Sequence, residues 1–89
     1  TIEVMIESGI EMGMTKEMAE ELVLQTVYGS ALLAMKSKLS PTELRKEVTS
    51  KGGTTDAAIT HLANNDYTKI VIDAILAARN RSKELGDTK

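Results

Sequence analysis

The residues best suited to chemistry stand together in one short run, Ser50-Lys51-Gly52-Gly53-Thr54-Thr55. Two adjacent glycines break any helix, because they give maximal backbone freedom and poor helix propensity. The threonines and Ala57, Ala58, Ile59 and Leu62 then restart one. Such a sequence presents unpaired backbone N–H groups at a helix N-terminus, with room for a ligand to approach the main chain. A site of that kind binds a carboxylate or a phosphate. The hydroxyls of Ser50, Thr54 and Thr55 add donors around it. Read from these residues alone, the signal for such a site is weak, and an inter-helix turn with threonine caps is the stronger reading of the run.

The elements that must position this run are helices. Ile2, Met5, Ile6 and Ile10 have the i, i+3/i+4 spacing of an amphipathic helix from Ile2 to Met12, with Gly13 suited to its left-handed end. That pattern opens at the first residue, with Thr1 as its only available cap. It reads as a cut start, with a native N-terminus as the alternative. Thr15 caps a second helix running to about Ser37, with Glu17, Glu20 and Glu21 near its positive end. The second half of this helix, LVLQTVYGSALLAM, is apolar on nearly every side. Gly29, Ser30, Ala31 and Ala34 would let another helix approach closely, which points to a second copy of the chain; a central helix of a monomeric bundle is the other reading.

Ser40-Pro41-Thr42-Glu43 is a capping box with proline at the first helical position, and Leu39 with Leu44 forms a hydrophobic staple. This third helix runs to about Val48. A fourth starts at Thr54 or Thr55 and ends at Asn64-Asn65, with asparagine suited to a left-handed terminus. Asp66 caps a fifth, which carries Ile70, Val71, Ala74, Ile75 and Ala78 on one stripe. Gly86 is expected to close it, and the tail Asp87-Thr88-Lys89 to fray. The fold class read from these patterns is all-α, with five helices and no strand.

Composition narrows the function. The 89 residues suffice for one domain, 1–89, and bury too little surface for a strong core of their own. Two tyrosines, no Phe and no Trp leave a core of Leu, Ile, Val, Ala and Met, and no stacking platform for single-stranded nucleic acid. A net charge of −2 argues against nucleic acid and against an anionic membrane as partners. The absence of cysteine excludes thiolate metal sites and disulfides and fits a cytoplasmic protein. No signal-peptide pattern opens the chain, and Leu22 to Met35 falls short of the ~20 apolar residues that span a bilayer.

Pro41, Leu44, Val48-Thr49-Ser50, Gly52-Gly53, Thr55, Ala58-Ile59 and Leu62 together match, at fixed spacing, the signature of the pyrroline-5-carboxylate reductases. GIEMGMTKEMAEELVLQTVYGSALL resembles the long helices of that family, and AILAARNRSKEL its terminal helix. The resemblance covers essentially the whole chain. It implies the helical C-terminal half of an enzyme that reduces 1-pyrroline-5-carboxylate to L-proline, the last step of proline biosynthesis, with NADPH or NADH. That half interleaves with its twin as a homodimer, in a fold similar to the C-terminal domain of 6-phosphogluconate dehydrogenase. Carried over residue by residue, the loop Ser50 to Thr55 holds the substrate. The amides around Gly53 and Thr54, with Ser50, receive the carboxylate, Gly52 belongs to the same substrate-binding loop, Thr55 contacts the ring nitrogen and supports its protonation, and Val48 lines the pocket.

The chain departs from the family at Lys51, where proline is usual, at Asn64-Asn65, where glycines are frequent, and at Thr68, where arginine is frequent. Lys51 is expected to leave the loop more mobile. No G-x-G-x-x-G follows a strand, so the dinucleotide-binding Rossmann domain of the full-length enzyme is absent. The chain is therefore expected to bind no cofactor and to be inactive alone. A non-catalytic helical dimerisation module is the alternative, and a generic helical interaction domain a third reading that leaves the loop as coincidence.

Other residues invite weaker readings. His61 reads as a structural or surface histidine rather than a general acid. Glu3, Glu7, Glu11, Glu17, Glu20 and Glu21 read as solvated helix faces rather than metal ligands. Met5, Met12, Met14, Met18 and Met35 read as core and interface filler. Lys69, Arg79, Arg81 and Lys83 read as the polar face of the last helix.

Overall fold

A computed structural model describes residues 1–87, and every regular element among them is a helix: α1 (Ile2–Glu11), α2 (Lys16–Lys36), α3 (Pro41–Val48), α4 (Thr54–Asn64) and α5 (Tyr67–Asp87). The all-α expectation holds, and no described helix is long and apolar enough to cross a membrane. The chain divides into two compact units, the first spanning Thr1–Arg45 and the second starting at Lys46.

In the first unit α1 packs on α2. The turn between them is set by Gly13, which takes φ +102°. The Gly13 amide donates to the Ile10 carbonyl at 3.0 Å and the Met14 amide to the Gly9 carbonyl at 3.0 Å. This pair of bonds is a Schellman motif, which satisfies carbonyls that the helix end leaves open. Thr15 then caps α2 as expected, its hydroxyl accepting the Met18 amide at 3.2 Å. Thr1 stands at the N-cap position of α1, but its side chain makes no capping hydrogen bond.

The buried residues of this unit are Gly9, Ala19 and Val23. A Cβ on Gly9 would stand 3.1 Å from the Ala19 Cβ and 3.3 Å from the Met14 Sδ, tighter than ordinary van der Waals contact. The absence of that one carbon lets the two helices approach. Elsewhere on α2, Leu22, Leu24, Tyr28, Leu33 and Met35 are all exposed.

Ser40 and Glu43 form the full reciprocal capping box: the Glu43 amide donates to the Ser40 hydroxyl at 3.1 Å, and the Ser40 amide to Glu43 Oε1 at 3.2 Å. In the second unit α4 packs on α5, yet neither helix holds a buried residue. The expected stripe of α5 is open, with Ile70 60% and Ile75 64% exposed.

Two helix ends differ from expectation. The left-handed residue between α4 and α5 is Asp66, at φ 60°, and not either asparagine. Asn65 stays at φ −121° because its side chain takes up the open end of α4 directly, Nδ2 donating to the His61 carbonyl at 2.8 Å. The chain reversal is thus passed one residue on, to another residue type that tolerates the left-handed region. The Asp66 carbonyl accepts the Ile70 amide at 2.9 Å as α5 begins. Gly86 does not close α5, which continues to Asp87. Glycine permits a left-handed end without compelling one. Of the tail expected to fray, Asp87 is therefore helical, and Thr88 and Lys89 lie outside the described residues.

Candidate functional site

The segment joining α3 to α4 is a β-turn over Ser50-Lys51-Gly52-Gly53, closed by the Gly53 amide donating to the Ser50 carbonyl at 2.9 Å. Its third residue, Gly52, takes φ +77°. That is the value of a type II turn, which requires a residue free of Cβ strain at this position and favours proline at the one before it. Lys51 fills the position before it. The turn accounts for the first glycine.

The second glycine has a different reason. Gly53 lies at φ −83° and ψ 179°, extended backbone open to any residue. A Cβ there, however, would stand 2.6 Å from Ser50 Oγ and 3.2 Å from the Ser50 carbonyl oxygen. Gly53 is needed so that the Ser50 hydroxyl can sit over the N-terminus of α4.

Gly53 is the N-cap of α4, and the first intrahelical bond of the helix runs from the Ala57 amide to the Gly53 carbonyl at 3.1 Å. Thr54, Thr55 and Asp56 are therefore the helical residues whose amides have no partner within the helix. Ser50, Lys51, Gly52 and Thr54 are exposed, while Gly53, Thr55 and Asp56 are half-buried. Val48 ends α3 two residues before the turn and is 64% exposed. The structure thus brings Ser50, Gly52 and Gly53 into one turn and sets Thr54 and Thr55 as the first helical residues beyond it. The arrangement offers an anion three free amides, those of Thr54, Thr55 and Asp56, and a hydroxyl at the positive end of a helix.

Asp56 is the residue that sequence reasoning passed over. Its Oδ2 accepts the Gly52 amide at 2.9 Å, and Oδ1 lies 3.4 Å from the Thr60 hydroxyl. The available signal was an acidic residue in the first turn of a helix, where carboxylates commonly serve as caps. Gly9 was also passed over, because its role depends on a contact with another helix.

The remaining singled-out residues lie on surfaces. His61 is exposed on the last turn of α4. Glu3, Glu7, Glu11, Glu17 and Glu21 are exposed, and half-buried Glu20 approaches Lys16 at 4.0 Å. No group of three His, Asp or Glu among the described residues could hold a metal ion. Lys69 pairs with Asp73 at 2.7 Å and Arg81 with Glu84 at 2.9 Å along α5. Of the methionines, Met5 and Met14 are half-buried beside Gly9 in the groove between α1 and α2, whereas Met12, Met18 and Met35 are exposed.

The family described as pyrroline-5-carboxylate reductase dimerisation matches residues 1–85. The chain belongs to that family. Within it, the chain is 41% identical over 86 residues to a pyrroline-5-carboxylate reductase of Pseudomonas aeruginosa, covering 97% of this chain and 32% of that protein. A pyrroline-5-carboxylate reductase of Synechocystis is 38% identical over 85 residues, covering 96% of this chain and 32% of that protein. Among solved structures, the Plasmodium falciparum pyrroline carboxylate reductase with NADP bound superposes with a TM-score of 0.90 at 34% identity, covering 96% of this chain and 34% of that one. The chain thus spans about a third of the length of the pyrroline-5-carboxylate reductases it matches. The turn at Ser50 and the helix start at Thr54 lie inside the matched dimerisation region.

Proposed function

We propose that this chain supplies the substrate loop and the dimer interface of a pyrroline-5-carboxylate reductase. In this reading the complete protein reduces 1-pyrroline-5-carboxylate to L-proline with NADPH or NADH, in the cytoplasm, as the last step of proline biosynthesis. The observation that carries it is the start of α4: free amides at Thr54 and Thr55, beside a Ser50 hydroxyl for which Gly53 makes room. A planar carboxylate fits such a group of donors.

Because the Gly53 amide closes the turn, the substrate carboxylate falls to the amides of Thr54 and Thr55 and to the Ser50 hydroxyl. The Thr55 hydroxyl, one residue into the helix, is set against the ring nitrogen, where it supports protonation of the imine. Gly52 shapes the turn, and Val48 lines the pocket once other parts of the enzyme cover it. Binding in this way orients the C=N bond and holds a proton donor at its nitrogen.

The described residues contain no strand leading through a glycine-rich turn into a helix, so nothing here fits a dinucleotide. The hydride donor belongs to a Rossmann domain outside these residues, in keeping with relatives about three times as long. Residues 1–89 then act as one helical dimerisation domain, interleaved with a second copy. Exposed apolar side chains on α2 and α5, among them Leu24, Leu33, Ile70 and Ile75, supply the surface that the second copy covers.

The test compares the complete reductase that carries this chain with the purified chain alone. Oxidation of NADPH or NADH on adding the imine is expected of the first and not of the second. Its loss on Thr55→Val, with the dimer intact, separates the enzyme reading from that of a non-catalytic dimerisation module. Turnover by the isolated chain, or full activity in Thr55→Val, contradicts the assignment.

A further inference from the structure

Lys51 occupies the turn position at which proline would hold the backbone near the required φ, so the turn lacks that restraint. A second hydrogen bond stands where the restraint is missing. The half-buried Asp56 carboxylate reaches back from the first turn of α4 and accepts the Gly52 amide at 2.9 Å. Gly52 is the residue held at φ +77°, the conformation on which the whole turn depends. The same carboxylate lies 3.4 Å from the Thr60 hydroxyl one helical turn on, which aids its orientation.

We infer that Asp56 is a positioning residue, which ties the Ser50–Gly53 turn to α4 and so holds the Ser50 hydroxyl and the free amides of Thr54 and Thr55 in one arrangement. This rests on the reading of that loop as the substrate site. Asp56 takes an amide that the proposed substrate does not use. It acts through the turn and touches no substrate atom. A hydrogen bond to a charged acceptor is strong enough to matter at an exposed loop.

The experiment uses the complete reductase carrying this chain. Asp56→Ala is expected to raise KM for the imine about tenfold with a smaller change in kcat, and to speed hydrogen exchange in the peptide that includes Gly52. Asp56→Asn, which keeps an oxygen acceptor, should recover most of the loss. Adding Lys51→Pro to Asp56→Ala should also recover it, because the proline restrains the same turn by other means. A role of Asp56 confined to overall stability would lower the unfolding midpoint of Asp56→Ala while leaving KM and the exchange of the Gly52 amide, relative to the rest of the chain, unchanged. An unchanged KM in Asp56→Ala, or a rise that Lys51→Pro leaves in place, overturns the inference. Failure of the site reading looks different: Thr55→Val would then leave reduction unaffected, while the exchange of the Gly52 amide still reports on the tether.

Discussion

The hydroxyl oxygen of Ser50 lies 2.6 Å from the point at which a Cβ would stand on Gly53. Two atoms cannot share that space, so the glycine and the hydroxyl depend on each other. The first expected outcome follows directly. Gly53→Ala displaces the Ser50 hydroxyl from the start of α4 and raises KM for the imine about tenfold, the worth of one hydrogen bond to a charged group. Thermal stability should fall only slightly, because φ −83° and ψ 179° are open to alanine and the Cβ crowds the Ser50 carbonyl oxygen at 3.2 Å without overlapping it. Steady-state kinetics alongside a thermal melt check both halves, and an unaltered KM contradicts a substrate contact by Ser50.

Gly52→Ala should behave in the opposite way. At φ +77° a Cβ costs roughly 1–2 kcal/mol, although no neighbouring atom lies within 4 Å of it. The cost falls on the backbone, so the variant should lose stability and order in the turn together. Hydrogen exchange across residues 50–55 and a denaturant titration report it; native-like exchange would show that the turn is not held at this φ in solution.

Gly9→Ala places a Cβ 3.1 Å from the Ala19 Cβ. Overpacking of this kind typically costs about 1–3 kcal/mol. The free energy of unfolding should drop by that amount, and Ala19→Gly in the same chain should restore part of it by giving back the space. Equal stability of Gly9→Ala and the parent sequence would mean that α1 and α2 do not approach this closely.

Ile75 is 64% exposed in the middle of α5. If a second copy covers it, Ile75→Asp buries a charge at each of two symmetry-related positions. Association should weaken by roughly a hundredfold or more, since one buried isoleucine alone is worth about 1.5–3 kcal/mol. Sedimentation of the parent chain as a dimer at micromolar concentration and of the variant as a monomer is the expected result. A variant that sediments like the parent removes α5 from the interface.

Local chemistry was legible wherever partners lie three or four residues apart. The Ser40–Glu43 capping box, the Thr15 cap and the left-handed Gly13 could all be read from residue types, because each bond closes within one helical turn. The all-α class followed from apolar spacing for the same reason. Where two neighbouring residues could do the same job, the pattern did not choose between them. Asn65 and Asp66 both tolerate the left-handed region, and the choice turned on whether the Asn65 side chain reached the His61 carbonyl.

By itself the sequence determined which segments are helices, where most of them start, and that a Gly-Gly-Thr-Thr run offers donors to an anion. Only the folded chain decided how those donors are used. It gave the Gly53 amide to the Ser50 carbonyl and the Gly52 amide to Asp56, and left the amides of Thr54, Thr55 and Asp56 free. A carboxylate at the start of a helix has several amides within reach, and residue identity does not say which it takes until the φ of Gly52 is known. The same holds for Gly9, whose missing carbon has meaning only because Ala19 of another helix stands 3.1 Å from where it would be.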